Sequence, residues 1–229
     1  MRVEVKPDRE YAWFIRPFFW LQKRNYGQVL IPGKCWGRSP RLFAAVATLY
    51  GVINRKRSPI DPVLRSLVTV RVSQLNWCRF CVDINAMTLI KRAGSSEKVE
   101  ALAHWRTSPL FDEREKAVLD YTEAMTGLDG VSDAQAARLK PWFDDDAMVE
   151  LTGLIAFQNM SAKFNAALDI APQRGRCEHP GQHRPDREAQ IDHARRAFYA
   201  GFVAEMIDPF VTRTPVLDAS GEKHRGVLR

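Results

Sequence analysis

Cysteine is scarce in this chain, with four residues in 229, at Cys35, Cys78, Cys81 and Cys177. That is too few to staple a chain this long, so a disulfide scaffold is excluded and folding must rest on a buried core. No apolar run approaches the roughly 18 residues a membrane-spanning helix needs. The aromatic stretch YAWFIRPFFWL is broken by Arg16 and Pro17. No clean apolar region leads to a small-residue cleavage site, so no secretory signal is read. Strand signals are nearly absent, and no repeat recurs at a solenoid period. A second Cys-x-x-Cys pair, which a zinc site would need, is missing as well. Together these absences predict a cytoplasmic, helical protein with no membrane partner.

What remains is ordinary globular composition, 45% hydrophobic and 27% charged, with enough length for one good core. Lys and Arg total 34 against 27 acidic residues, a net charge of +7. The excess is N-terminal: residues 1–60 carry 12 basic and 3 acidic side chains, whereas residues 61–172 carry 12 and 16. A nucleic-acid groove needs cations clustered on a recognition element, so this distribution argues against a nucleic-acid partner.

Helical periodicity runs through the middle of the chain. Ser39-Pro40 opens a helix over 41–55, and Asp61-Pro62 opens the next, through VLRSLVTVRVSQLN. There Leu64, Leu67, Val68, Arg71, Val72 and Leu75 follow helical spacing better than alternation. Asn76 is expected to cap a helix from Trp77 to Arg92 that stops at Gly94. Further helices are predicted after Ser96, over FDEREKAVLDYTEAMTG, after Ser132, and from Asp144 to Ile170. The expected organisation is an aromatic, basic arm over 1–39, an all-α domain over 40–172, and a linker with a C-terminal helical appendage over 173–229. The arm packs Tyr11, Trp13, Phe14, Phe18, Phe19 and Trp20 into eleven positions. So much aromatic area predicts packing over the core or across a subunit boundary.

The segment that carries chemistry is LVTVRVSQLNWCRFCVDINAMTLIKRAG. Spacing by three puts Cys78 and Cys81 on one helical face, within the Cα separation of about 4.4 to 6.8 Å that a disulfide spans. A position in the first helical turn would favour the Cys78 thiolate through the unpaired N–H groups there, and Arg79 adds a nearby charge. Asn85, four residues past Cys81, is expected within its reach. On spacing alone, redox chemistry, inert packing and half of a metal site all stay open; Cys177, His179 and His183 form a metal-like cluster only far away in sequence. His104, beside Trp105, reads as a surface or packing residue. Glu150, Gln158, Asn159 and Asn165 lie on a largely apolar helix, where buried amides must find partners and a thiol site would supply some. Cys35 reads as an incidental thiol in a loop.

The stretch from Asp61 to Gly94, with RVSQLNWCRFCVDINA followed by KRAG, resembles the signature helix pair of the carboxymuconolactone decarboxylase family, in its alkylhydroperoxidase D-like branch. The helix VELTGLIAFQNMSAKFNAAL resembles the family's closing helix. The resemblance implies an all-helical fold, a homo-oligomer, and reduction of small hydroperoxides through Cys78 and Cys81 with a dithiol reductant as partner and no cofactor or metal. It also implies Cys81 as the attacking sulfur and Cys78 as its resolving partner. The branch's motif carries a Glu twelve residues before the first cysteine and a His four after the second; Ser66 and Asn85 stand there instead. Neither exchanges a proton near neutral pH as those groups do. Two alternatives therefore stand beside the peroxidase: a non-catalytic or redox-sensing helical module, and a decarboxylase-like enzyme.

Overall fold

A computed structural model describes residues 1–173. Among them the regular structure is entirely helical: α1 (Arg16–Tyr26), α2 (Ile31–Gly37), α3 (Pro40–Ile53), α4 (Pro62–Leu75), α5 (Arg79–Ala93), α6 (Glu97–Ala101), α7 (Glu113–Thr126), α8 (Asp133–Ala137) and α9 (Asp145–Ala167), with short 3-10 turns between. The appendage expected over 173–229 and the Cys177, His179, His183 cluster lie outside the described residues, save for Gln173.

The helix boundaries follow local chemistry. The Asp61 side chain accepts from the Leu64 amide at 2.9 Å to start α4. Asp112 and Glu115 form a reciprocal capping box on α7, and Ser132 with Gln135 repeats the device on α8. Asp144 caps α9 through the Ala147 amide. Gly94 ends α5 in the left-handed conformation, at φ 78°, where a side chain would be strained.

The core is built around α4, which packs against α5, α7 and α9. Leu64, Leu67, Val68, Val70 and Val72 are almost wholly buried, so this helix is covered on most of its circumference. That explains why its apolar residues are not confined to a single narrow stripe. Leu89, Leu102, Val118, Leu119, Leu139, Leu151 and Ile155 complete the main cluster.

The aromatic arm is itself helical and packs within the chain. Tyr11, Ile15 and Phe19 are buried, and the Tyr11 and Phe19 rings meet edge to face at 5.0 Å. Phe18 meets Phe43 of α3 in the same way. Gly37 permits the close approach of α2, since a Cβ there would stand 3.0 Å from Tyr11 Cδ1. Trp13 and Trp20 remain on the surface.

Candidate active site at the start of α5

Two helices meet head to tail at the cysteine pair. The last turn of α4 ends at Leu75, with Asn76 closing it and Trp77 at φ 54° reversing the chain. Asn76 was expected to begin α5; it instead terminates α4, its Nδ2 donating to the Val72 carbonyl at 2.9 Å and to Asn159 Oδ1 at 2.8 Å. The N-cap of α5 is Cys78 itself, whose sulfur accepts from the Cys81 amide at 3.2 Å. A sulfur therefore occupies the place a serine or aspartate oxygen usually takes, facing the unpaired amides of the first turn.

Cys78 and Cys81 are joined as a disulfide with their Cα atoms 5.2 Å apart, inside the window the spacing implied. Both are buried, and they share a small apolar cluster with Leu30, Cys35, Phe80, Ala162 and Ile170. Val3, Val5, Tyr26 and Ile31 from the N-terminal segment pack on it too. The Trp36 and Phe164 rings stack alongside, 3.5 Å between centroids. Cys35 thus lies in a helix rather than a loop, beside the pair, and burial pushes its thiol pKa up.

The polar groups around the pair differ from those the sequence suggested. Asn85 does not bond Cys81; its Nδ2 donates to Ser73 Oγ at 3.1 Å and weakly to the Thr69 carbonyl at 3.5 Å. The helical spacing is right, but the side chain turns across the α4–α5 seam, where the buried Ser73 hydroxyl accepts from it. Ser73, fully buried, is the hub that sequence reading passed over. Its Oγ donates to the Thr69 carbonyl and accepts from both Asn85 and Gln158 Nε2, while its own carbonyl accepts from the Cys78 amide at 3.1 Å. The signal was present as a serine in the last turns of a Val- and Leu-rich helix, just before the motif.

The group that does touch a cysteine is Asn165 of α9, whose Nδ2 donates to Cys81 Sγ at 3.2 Å. Of the α9 amides, Asn165 thus meets the thiol site directly. Gln158 meets it through Ser73, and Asn159 holds Asn76 and Thr126. Glu150 is away from the pair, clamped by the two terminal nitrogens of Arg55 at 2.6 and 2.8 Å, and those hydrogen bonds hold its carboxyl below the usual range. Arg79 is largely exposed and reaches Asp169. His104 is exposed, as expected.

Ser66 and Asn85 occupy one seam between α4 and α5. Ser66 Oγ donates to the Pro62 carbonyl at 3.1 Å and accepts from Arg92 Nη1 at 2.8 Å. These contacts, made among the described residues, join the seam through neutral and cationic donors. No group of His, Cys, Asp and Glu among the described residues is arranged to hold a metal ion. No helix among them is long and apolar enough to cross a membrane.

Comparison with known proteins agrees with this architecture. Residues 40–124 match the carboxymuconolactone decarboxylase family. The chain is 49% identical over 177 residues to the uncharacterized protein YnjA of Escherichia coli K12, an alignment that covers 77% of this chain and 97% of that protein. A protein of unknown function from Agrobacterium tumefaciens, named as a candidate antioxidant defence protein AhpD, superposes with a TM-score of 0.57 at 25% identity. It covers 61% of this chain and 95% of its own. The alkylhydroperoxidase AhpD core of an uncharacterized peroxidase-related protein from Ralstonia eutropha JMP134 gives a TM-score of 0.68 at 18% identity. It covers 75% of this chain and 92% of that one. With this helical fold and these relatives, the chain belongs to the carboxymuconolactone decarboxylase family, in its alkylhydroperoxidase D-like branch.

Proposed function

We propose that this protein is a thiol-dependent peroxidase that reduces small organic hydroperoxides through Cys78 and Cys81. The observation that carries the reading is a cysteine pair already able to close a disulfide, with the first sulfur capping a helix and the second receiving a side-chain amide. Both contacts favour an anionic sulfur. The largely apolar surroundings suit an alkyl substituent better than a charged one.

In this reading the Cys81 thiolate attacks the terminal oxygen of the hydroperoxide. The S–O bond forms as the O–O bond breaks, leaving a sulfenic acid and an alkoxide that takes a proton from solvent. The Cys78 thiol then condenses with the sulfenic acid, forming the S–S bond and releasing water. A dithiol reductant returns both electrons and regenerates the pair. Homo-oligomerisation and the dithiol partner belong to the same proposal.

A redox sensor is the second reading, favoured by the Ser66–Arg92 and Asn85–Ser73 contacts that close the seam without a proton-exchanging group. Dithiothreitol-dependent consumption of tert-butyl hydroperoxide by the full chain separates the two. Turnover that disappears in a Cys78→Ser, Cys81→Ser double variant supports the peroxidase. One rapid round of disulfide formation without turnover supports the sensor, and unreactive thiols refute both.

A further inference from the structure

The buried amide of Asn165 is half used. Its Nδ2 donates to Cys81 Sγ at 3.2 Å, yet its Oδ1 is buried and accepts no hydrogen bond among the described residues. The residue is 2% exposed and sits on α9, which packs against both α4 and α5. An unpaired buried carbonyl is costly, so its persistence calls for a partner that arrives with chemistry.

The apolar cluster around the pair includes Cys35 and Tyr26 as further titratable side chains. Arg79, the nearest cation in sequence, is 71% exposed and spends its charge on Asp169. Asn85 is turned to Ser73. The Cys78 sulfur has the Cys81 backbone amide as donor, so the Asn165 side chain is the corresponding donor for Cys81.

We propose that Asn165 is a catalytic residue of this pair: its Nδ2 stabilises the Cys81 thiolate, and its free Oδ1 accepts the O–H of the incoming hydroperoxide. The inference rests on the peroxidase reading for the substrate half alone; the thiolate half holds for any reaction of Cys81. With Nδ2 on the sulfur and Oδ1 on the peroxide hydroxyl, one planar amide would hold the nucleophile and the terminal oxygen together. The attack itself is the one written above, with the S–O bond forming and the alkoxide leaving.

The test reads the thiol before it reads turnover. In a Cys78→Ser background the serine keeps the cap of α5 and Cys81 is the only sulfur of the pair. Alkylation of Cys81 by iodoacetamide, followed across pH by mass spectrometry, gives its pKa. With Asn165 present the value is expected below the ordinary thiol value of about 8.5; a value at or above it overturns the proposal without any change at position 165. Asn165→Ala is expected to raise it by about one unit, a roughly tenfold slower alkylation near neutral pH. The near-isosteric Asn165→Asp, whose carboxylate faces the sulfur, is expected to raise it further. Profiles that superimpose in folded variants overturn the thiolate role. The rate of sulfenic acid formation with tert-butyl hydroperoxide in Asn165→Ala is expected to fall more than alkylation does, and equal losses overturn the Oδ1 role. Alkylation needs no peroxide, so a wild-type chain that consumes none refutes the peroxidase reading separately from this one.

Discussion

Glu123 of α7 is the polar knot on which the frame of the site depends, and replacing it with glutamine should unlock that frame measurably. Its Oε1 accepts from Arg71 Nε at 2.6 Å and from the Trp105 indole at 2.8 Å, and its Oε2 meets Arg106 at 2.6 Å. Arg71 lies on α4 two residues before Ser73, so the knot fixes the helix that carries the cysteine pair's backbone acceptor. The Arg71 and Glu123 side chains are each 15% exposed, whereas Arg106 is 56% exposed. The Arg71 contact is therefore worth about 2 kcal/mol as a charge-assisted pair with its partner left unsatisfied. Losing the charge on the indole bond costs about 1 kcal/mol, and the exposed Arg106 contact adds only about 0.3 kcal/mol. The sum is about 3 kcal/mol, or a fall in Tm of about 6 to 12 °C for a chain of this size.

The pH dependence gives a second handle on the same substitution. Burial by itself raises the Glu123 carboxyl, but Trp105, Arg106 and Arg71 outweigh it and hold the folded pKa below the ordinary glutamate value. A depressed carboxylate pKa contributes stability that is present above the unfolded value and is lost as pH falls through the folded one. Thermal unfolding followed by circular dichroism should therefore show the Glu123→Gln gap wide at neutral pH and narrowing below about pH 4. A loss under about 2 °C, or a gap that does not narrow in acid, would refute the assignment of Glu123 as the knot.

Arg65 is buried with no carboxylate ion pair among the described residues, its Nη2 on the Ile60 carbonyl and its Nε without a partner. Burial and the neighbouring Arg92 and Arg55 charges all disfavour its cation, so Arg65→Met should stabilise the fold by about 1 kcal/mol in urea titration, and a loss would count against that accounting. Cys78→Ser should still give a dimedone-trappable sulfenic acid at Cys81, whereas Cys81→Ser should give none at Cys78; the reverse pattern would make the helix-capping sulfur the attacker. Asn85→His would place an imidazole against Ser73 Oγ, and the peroxide rate should then gain an inflection near pH 6.5 that the unaltered chain lacks. Leu42, Tyr50 and Val52 on α3 and Val149 and Met160 on α9 leave substantial apolar area exposed, so light scattering should give a mass above the monomer; a monodisperse monomer would remove the oligomer from the proposal.

The helices were legible because their signals are local. Asp61-Pro62, Asp112 with Glu115, Ser132, Asp144 and Gly94 each satisfy backbone groups within a few residues, and such bonds are written in the sequence at fixed spacing. The N-terminal segment was read as an arm because its aromatics lack a clean helical stripe. Its buried residues, Tyr11, Ile15 and Phe19, are selected by contact with α2 and with one another. Those three recur every four positions, but Pro17 and the exposed Trp13 and Trp20 break the stripe, so the choice among the apolar residues is tertiary. The displaced start of α5, expected at Asn76, has the same origin: asparagine suits either end of a helix, and the Val72 carbonyl and Asn159 decide which.

The site divides along the same line. The Cys78–Cys81 spacing is local and permits a disulfide within one turn, so the pair was legible in the sequence as a candidate. Which side chain serves the Cys81 sulfur depends instead on α9, whose Asn165 stands 84 residues away in the chain. Counting four residues along α5 finds Asn85, and the count is correct as geometry. It fails as chemistry because Ser73, donating its own proton to Thr69, leaves its lone pairs open to Asn85 and Gln158. A buried acceptor that already has its donation fixed captures the nearest amides, and Cys81 is left to the amide of the opposite helix. The polar residues of α9 were thus the clue, and their destinations required the packing. Ser66 and Asn85 are bonded within the α4–α5 seam, and the side-chain contact to the second sulfur comes from α9.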